Sequence, residues 1–472
     1  MKKLNFNVLP QLLLVCIVFL LSACDGNYLV WSTDGKLGAV LGAKGLRVCD
    51  GEGTISKVLI DNAGMFRWLP GEHAGLIVGY DYVASWAELK PLLNKAQEKQ
   101  IADESAKLRR KILTYKGDPK KFAENALRTF DYPLHACLAL RGAHQPDLER
   151  VASQKWPPFA NVKVPIFYIK LVQVDEKSTK LVRVLNRGID EVVELRPSPN
   201  GKAIACVKHE NGQERNYIEI IPIVAFAKAS YVAVNTNVYP DWSADGRNLY
   251  FTRGNNAGES DLLRGAGVHE GGLFKAECCD ATGKIHQQIT TQKLGRIIFD
   301  NRSPVRALKD GRILFLSREL GLPSSVQANP TSTLFALEGP RVDTILHRSD
   351  DAVYFEPNQD QEQIAVSFAN GSLFVVKSNG TDPTELCNGK ETKISGLLPQ
   401  WKSNSELSYG TETPSQNKGA KPTYSVILYS KSSGQKDLSK AWGKEAASEI
   451  IVHRDLFQEA MSGVLTDLEK KK

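Results

Sequence analysis

Histidine is the side chain best suited to move protons or hold a metal near neutral pH, and this chain has eight, at positions 73, 135, 144, 209, 269, 286, 347 and 453. They are scattered singly, as surface and core histidines are. The motifs that carry chemistry are missing too. There is no G-x-S-x-G nucleophile elbow, no H-E-x-x-H zinc helix and no phosphate loop, because Thr282-Gly283-Lys284 lacks the earlier glycine and the following hydroxyl residue. The richest polar stretch runs from Asn255 to Gly272, where Asn255, Glu259, Asp261, His269 and Glu270 are expected on one long loop. If a ligand binds, that loop is the first place to look. Asp34, Asp245 and Asp310 each precede a glycine, and turn formation accounts for them without a metal. The expectation is a protein with no catalytic residues, no metal and no cofactor.

The elements around these groups recur along the chain. Pro240-Asp241-Trp242-Ser243-Ala244-Asp245-Gly246 leads into the apolar strand Leu249-Tyr250-Phe251, with Gly246 supplying a left-handed turn position. Related stretches begin at Trp31 (with Asp34 and Gly35), Trp68 (with Gly71) and Pro197 (with Gly201), and weaker ones at Ala307 (with Asp310 and Gly311), Pro357 and Trp401. The seven copies are separated by 37, 129, 45, 65, 50 and 44 residues. A period near 40 to 50 with several strands per unit predicts propeller blades, each stacked on its neighbours so that no face is left bare. Inside one unit, Ile364–Phe368, Asn370-Gly371 and Ser372–Val376 read as a hairpin with a type I′ turn.

This repeat resembles the TolB-type, WD40-like propeller repeat, whose pattern is a proline, a tryptophan, Ser-Pro-Asp-Gly and an apolar strand. The resemblance covers roughly residues 28 to 435 and implies an all-β fold, a seven-bladed β-propeller with six blades as the alternative. It implies no single function, since such rings serve as scaffolds, receptors and enzymes. The favoured reading is a non-catalytic scaffold that binds envelope proteins. The alternative is a carbohydrate-active, lyase-like enzyme with a metal in the central channel. That would require at least three of His209, His269, His286 and His347 to converge on one mouth of the ring.

The 129-residue interval exceeds one blade, and residues 84–155 are expected to form a helical insertion. Ser85 and Glu88 read as a capping box, and Leu92, Leu93, Ala96, Leu108, Ile112 and Leu113 form a broken apolar stripe. Pro91 predicts a kink or a later start, Asp118-Pro119 a second helix start, and Leu134–Leu140 a third segment stopping at Gly142. Residues 436–472 are expected as a tail with an amphipathic helix carrying Phe457, Met461, Val464, Leu465 and Leu468.

The first 23 residues have the anatomy of an export signal, with Lys2 and Lys3, an apolar run from Leu12 to Leu21, and small residues before Cys24. Leu21-Ser22-Ala23-Cys24 resembles the bacterial lipobox. The resemblance implies cleavage before Cys24, a diacylglyceryl thioether on its sulfur and attachment to a membrane of the cell envelope. Asp25 resembles an inner-membrane retention signal, which favours the periplasmic face of that membrane. Discounting Lys2 and Lys3, 58 basic residues stand against 53 acidic ones, interspersed, which argues against nucleic acid as a partner. Cys49, Cys137, Cys206, Cys278, Cys279 and Cys387 have no C-x-x-C spacing, so a zinc site is not expected and their pairing stays open.

Overall fold

A computed structural model describes residues 29–442 apart from 43, 62, 72–73, 118–128, 143–161, 211–214, 225–227, 255–267, 301–302, 319–330, 395–397, 414 and 416–422. It forms seven antiparallel sheets arranged as the blades of a β-propeller. Their first strands are Leu29–Trp31, Ala63–Trp68, Glu191–Pro197, Asp241–Trp242, Val305–Ala307, Ala352–Pro357 and Gln400–Trp401. These define blades 1 to 7. Each of the seven sequence copies ends a first strand, so the repeat marks one place in every blade.

The turn after that place is built alike in most blades. Ser32, Ser198 and Ser243 accept a backbone N–H from Leu37, Ala203 and Asn248 at 2.9–3.1 Å, and the serine hydroxyl donates to Asp34, Asn200 or Asp245 at 2.5–2.7 Å. Gly35, Gly201, Gly246 and Gly311 take φ between 66° and 92°, as such a turn requires. In blade 6 the same position is Gln361 at φ 67°, so the conformation persists without glycine. The expected type I′ turn at Asn370-Gly371 is a correction. That type needs positive φ at both central residues, yet only Gly371 has it, and its N–H closes the turn onto the Phe368 carbonyl at 2.9 Å.

Blade 1 has three regular strands, and residues 54–60 lie beside the third through Ser56 N–H to Val48 O and Leu59 N–H to Leu46 O, both 2.8 Å. Among the described residues, blades 1 and 7 exchange no strand. The ring closes through packing of Leu29, Trp31, Val40 and Cys49 on Val426, Leu428, Leu438 and Trp442. The propeller therefore runs past residue 435, because the last strand is Gly434–Asp437 and Leu438 and Trp442 sit in this core.

Among the described residues, the helices α1 (Trp86–Leu89), α2 (Lys95–Thr114) and α3 (Pro133–Gly142) stand between the second and third strands of blade 2. Ser85 caps α1, a 3-10 turn carries Pro91, and Asn94 with Gln97 forms a capping box that restarts the helix. The buried stripe of α2 is Ile101, Leu108 and Ile112, whereas Ala96 and Leu113, expected on it, are exposed. These side chains share a core with Leu134, Cys137 and Leu138 of α3 and with Val83, Val164, Ile166 and Ile189 of the ring. The second helix start at Asp118-Pro119 and the amphipathic C-terminal segment lie outside the described residues.

Candidate functional site

The side chain just before each repeat residue lines the axis of the ring: Val30, Arg67, Arg196, Asp241, Arg306, Glu356 and Gln400. All but Val30 are polar, and they link blade to blade. Arg67 donates Nε and Nη2 to the two Glu194 oxygens at 2.8 and 2.6 Å, joining blades 2 and 3 with both side chains almost wholly buried. Arg196 donates Nε to Asp241 at 2.8 Å, and the second Asp241 oxygen accepts Ala307 N–H at 3.0 Å, so one carboxylate serves blades 3, 4 and 5. Arg306 holds Glu356 at 2.6 and 2.9 Å, the Tyr354 hydroxyl donates to the same carboxylate at 2.8 Å, and the Gln400 amide reaches that hydroxyl from blade 7 at 3.4 Å. Across the axis, Arg196 Nη2 lies 4.0 Å from Glu356, and Tyr239 of blade 4 meets Tyr354 of blade 6 edge to face at 5.7 Å.

Tryptophans complete this belt. The indole N–H groups of Trp68, Trp242 and Trp401 each donate at 2.8 Å to a carbonyl of the preceding blade, Val30, Arg196 and Glu356 respectively. At the closure, Trp31 donates to Ser408 Oγ at 2.9 Å, and Ser408 passes the bond to Gln400 O at 3.0 Å. Every one of the seven interfaces thus has a polar link at the same level.

The electrostatics follow from this closeness. Burial pushes the Glu356 carboxyl up, but Arg306, Arg196 and the Tyr354 hydroxyl outweigh it and hold it below the usual range. Burial and the Glu356 charge both push the Tyr354 hydroxyl up. Paired charges packed this way hold one another's side chains in place.

The residues singled out from the sequence fall into three groups. Trp31, Trp68, Trp242 and Trp401 belong to the belt, Pro240 leads into it, and Asp34, Gly35, Gly201, Asp245, Gly246, Asp310 and Gly311 form the turns at one face. Asn255, Glu259 and Asp261 lie outside the described residues. His269 and Glu270 are not loop residues as expected. They sit in the blade 4 strand Val268–Cys279, paired with Ile285–Asp300, where Glu270 forms an ion pair with Arg296. His209 bonds Asn216 on blade 3, His347 bonds Thr333 on blade 5, and His286 lies on blade 4. Among the described residues no group of three or more His, Cys, Asp or Glu side chains could hold a metal. The six cysteines are free and buried. Cys278 and Cys279 form a bulge, both donating N–H to Arg247 O, which turns both thiols into the core.

The belt residues Arg67, Glu194, Arg196, Arg306, Tyr354, Glu356 and Gln400 were not expected from the sequence. A signal was there: a polar residue precedes the aligned position in six of the seven copies.

Comparison with protein-family models gives no match, and comparison with curated proteins gives none either. Solved structures similar to this chain include a protein assigned as TolB from Agrobacterium tumefaciens, at 11% identity over 55% of this chain and 84% of that one, TM-score 0.37. The β-propeller domain of the Trilobed protease from Pyrococcus furiosus has 11% identity over 58% and 93%, TM-score 0.32. Prolyl oligopeptidase B from Galerina marginata has 8% identity over 90% and 52%, TM-score 0.47. Such distant likenesses carry no argument about activity, and the seven blades rest on the strand pairing itself.

Proposed function

We propose that this protein is a non-catalytic interaction scaffold of the bacterial cell envelope, tethered to the membrane through lipid on Cys24. The observation that carries this reading is the belt: polar groups that a propeller enzyme would keep free for substrate are here bonded to one another. Binding is left to the outer surfaces. The irregular elements supply it, above all the insertion, which shares its core with the ring.

The antiparallel order assigns faces. First strands start, second strands end and third strands start at the same end of a blade, so the insertion, both ends of segment 255–267 and the start of Leu29–Trp31 share one face. The glycine turns occupy the other. A tether ending at Leu29 sets the insertion face toward the membrane, and Asp25 favours the inner membrane.

Affinity capture tests the scaffold. The membrane-extracted protein is compared with a variant in which residues 86–155 become a short Gly/Ser linker and in which Val83, Val164, Ile166 and Ile189 are made polar to keep the uncovered ring soluble. Loss of a reproducible partner supports the reading, and partners retained by the variant move the docking site to the ring. Absence of any partner, together with a bound metal, would overturn it in favour of an enzyme. Incorporation of labelled fatty acid that Cys24→Ser abolishes tests the tether.

A further inference from the structure

The charge on the insertion is segregated along α2. In its first half Lys99 pairs with Asp103 at 3.0 Å, and Glu98 pairs at 3.1 Å with Lys90 of the 3-10 turn before the helix. From Ser105 to Gly117 there are five cations, Lys107, Arg109, Arg110, Lys111 and Lys116, and no acid. Lys111 lies over the Phe130 ring at 4.9 Å. The other four are exposed, and none is within ion-pair distance of a described carboxylate. Among them Leu113 is 49% exposed, while Leu108 and Ile112 on the opposite side of the helix are buried in the core.

The helix is fixed in place as well. Gln97 donates to Asp190 at 3.0 Å in the connection between blades 2 and 3, and Tyr217 donates to the same carboxylate at 2.9 Å. The basic half is therefore held on the face where the first strand of blade 1 begins. Four residues lie between Cys24 and Leu29, so the five steps reach roughly 18 Å at about 3.5 Å per extended residue.

We infer that the C-terminal half of α2 is a second membrane contact, docking on anionic phospholipid headgroups through Lys107, Arg109, Arg110 and Lys116 with Leu113 at the headgroup boundary. The tethering reading supplies the orientation and the inference rests on it to that extent. An acidic protein would also meet the cations. The membrane is the better fit because the same face carries the chain toward Cys24, and because an exposed leucine ringed by cations suits an interface that is anionic above and apolar below.

Vesicle flotation of the full chain carrying Cys24→Ser, which takes no lipid, separates this contact from the anchor. The probes are phosphatidylcholine vesicles with and without phosphatidylglycerol, at low and raised salt. The readout is the ratio of anionic to zwitterionic binding, so that any contribution from the apolar N-terminal segment cancels. The variant Lys107→Gln/Arg109→Gln/Arg110→Gln/Lys116→Gln is expected to lose at least tenfold in that ratio, each cation near such a surface being worth about fivefold. A variant with the same charge change on the turn face, Lys36→Gln/Lys202→Gln/Lys284→Gln/Lys309→Gln, is expected to keep it. Leu113→Ala should weaken anionic binding a few-fold further. Circular dichroism confirms that each variant is folded. Equal losses in both charge variants would reduce the effect to net charge and overturn the inference. An unchanged ratio in both, or loss of a captured acidic protein with vesicle binding intact, would overturn it too. Failure of fatty-acid labelling at Cys24 would sink the tether and leave the vesicle result standing.

Discussion

The inner wall of the ring and the helical insertion treat their polar groups in opposite ways. Along the wall, Arg67 and Arg306 are buried and Glu356 mostly so, and each is bonded across a blade interface. In the insertion, His135 is buried with its Nε2 unpartnered, and Lys107, Arg109 and Arg110 on α2 and Lys116 just after it are exposed near an exposed leucine. Paired buried charges fix a geometry, whereas a buried group without a partner costs stability and exposed, hydrated cations keep their capacity for contact. The wall accordingly reads as architecture, and the insertion is where we propose that other molecules are met.

The largest effect should come from opening the belt. Arg306→Met leaves Glu356 and Tyr354 buried without their cation, and the expected loss is about 3–5 kcal/mol in urea denaturation. The double variant Arg306→Met/Glu356→Leu should recover much of it, because a matched apolar pair leaves no orphan charge. Lys99→Ala, which breaks the exposed pair on α2, should not change the midpoint measurably. If the exposed pair matters as much as the buried one, the contrast between wall and insertion fails.

Next comes the tryptophan staple. Trp242→Phe keeps most of the packing and removes the donor to Arg196 O, at an expected cost of about 1–2 kcal/mol by the same measurement.

The insertion should respond to pH through His135. Burial pushes that imidazole down to about 3 from a normal 6.5. The unfolded chain takes up a proton below 6.5 that the folded chain refuses until near 3, so stability is full above 6.5 and falls as pH drops through that window. At about pH 5 the loss is about 2 kcal/mol, and His135→Phe should abolish it. Glu104 opposes this trend. Burial raises its carboxyl, against hydrogen bonds from Tyr132 and Asp131 N–H, so its folded form gains as pH falls. Hydrogen exchange in α2 and α3, compared between wild type and His135→Phe, isolates the histidine. A slope that survives the substitution would sink this account.

Much of the ring was legible because one backbone feature repeats: a left-handed turn position prefers glycine, and Asp-Gly or Asn-Gly marks it at Gly35, Gly201, Gly246 and Gly311. The tryptophans were legible as copies, though not as donors to the preceding blade. The belt was not legible, since Arg67 and Glu194 are 127 positions apart and only ring closure brings them within bonding distance. On α2 the helix itself was visible, but its capping box at Asn94 and Gln97 and the outward turn of Leu113 depend on which side the ring covers. The vicinal cysteines needed the bulge opposite Arg247 to make sense.

The smallest expected effect tests whether the turn face is held as tightly as the belt. At Gly201 an added Cβ would meet nothing within 4 Å, so Gly201→Ala isolates the cost of holding φ at 66° with a side chain. That cost is about 1 kcal/mol. Gln361 already occupies the same conformation at φ 67°, and its side chain reaches the next turn, accepting Lys309 N–H at 2.5 Å and donating to Ala307 O at 3.4 Å. Gln361→Gly should therefore be nearly neutral, since it relieves the backbone and gives up those bonds. A loss at Gly201 as large as that of Arg306→Met would place the turns and the belt on one footing. A small loss leaves the belt as the part of the repeat on which the ring depends, and the glycine turns as the conformation that lets each blade begin.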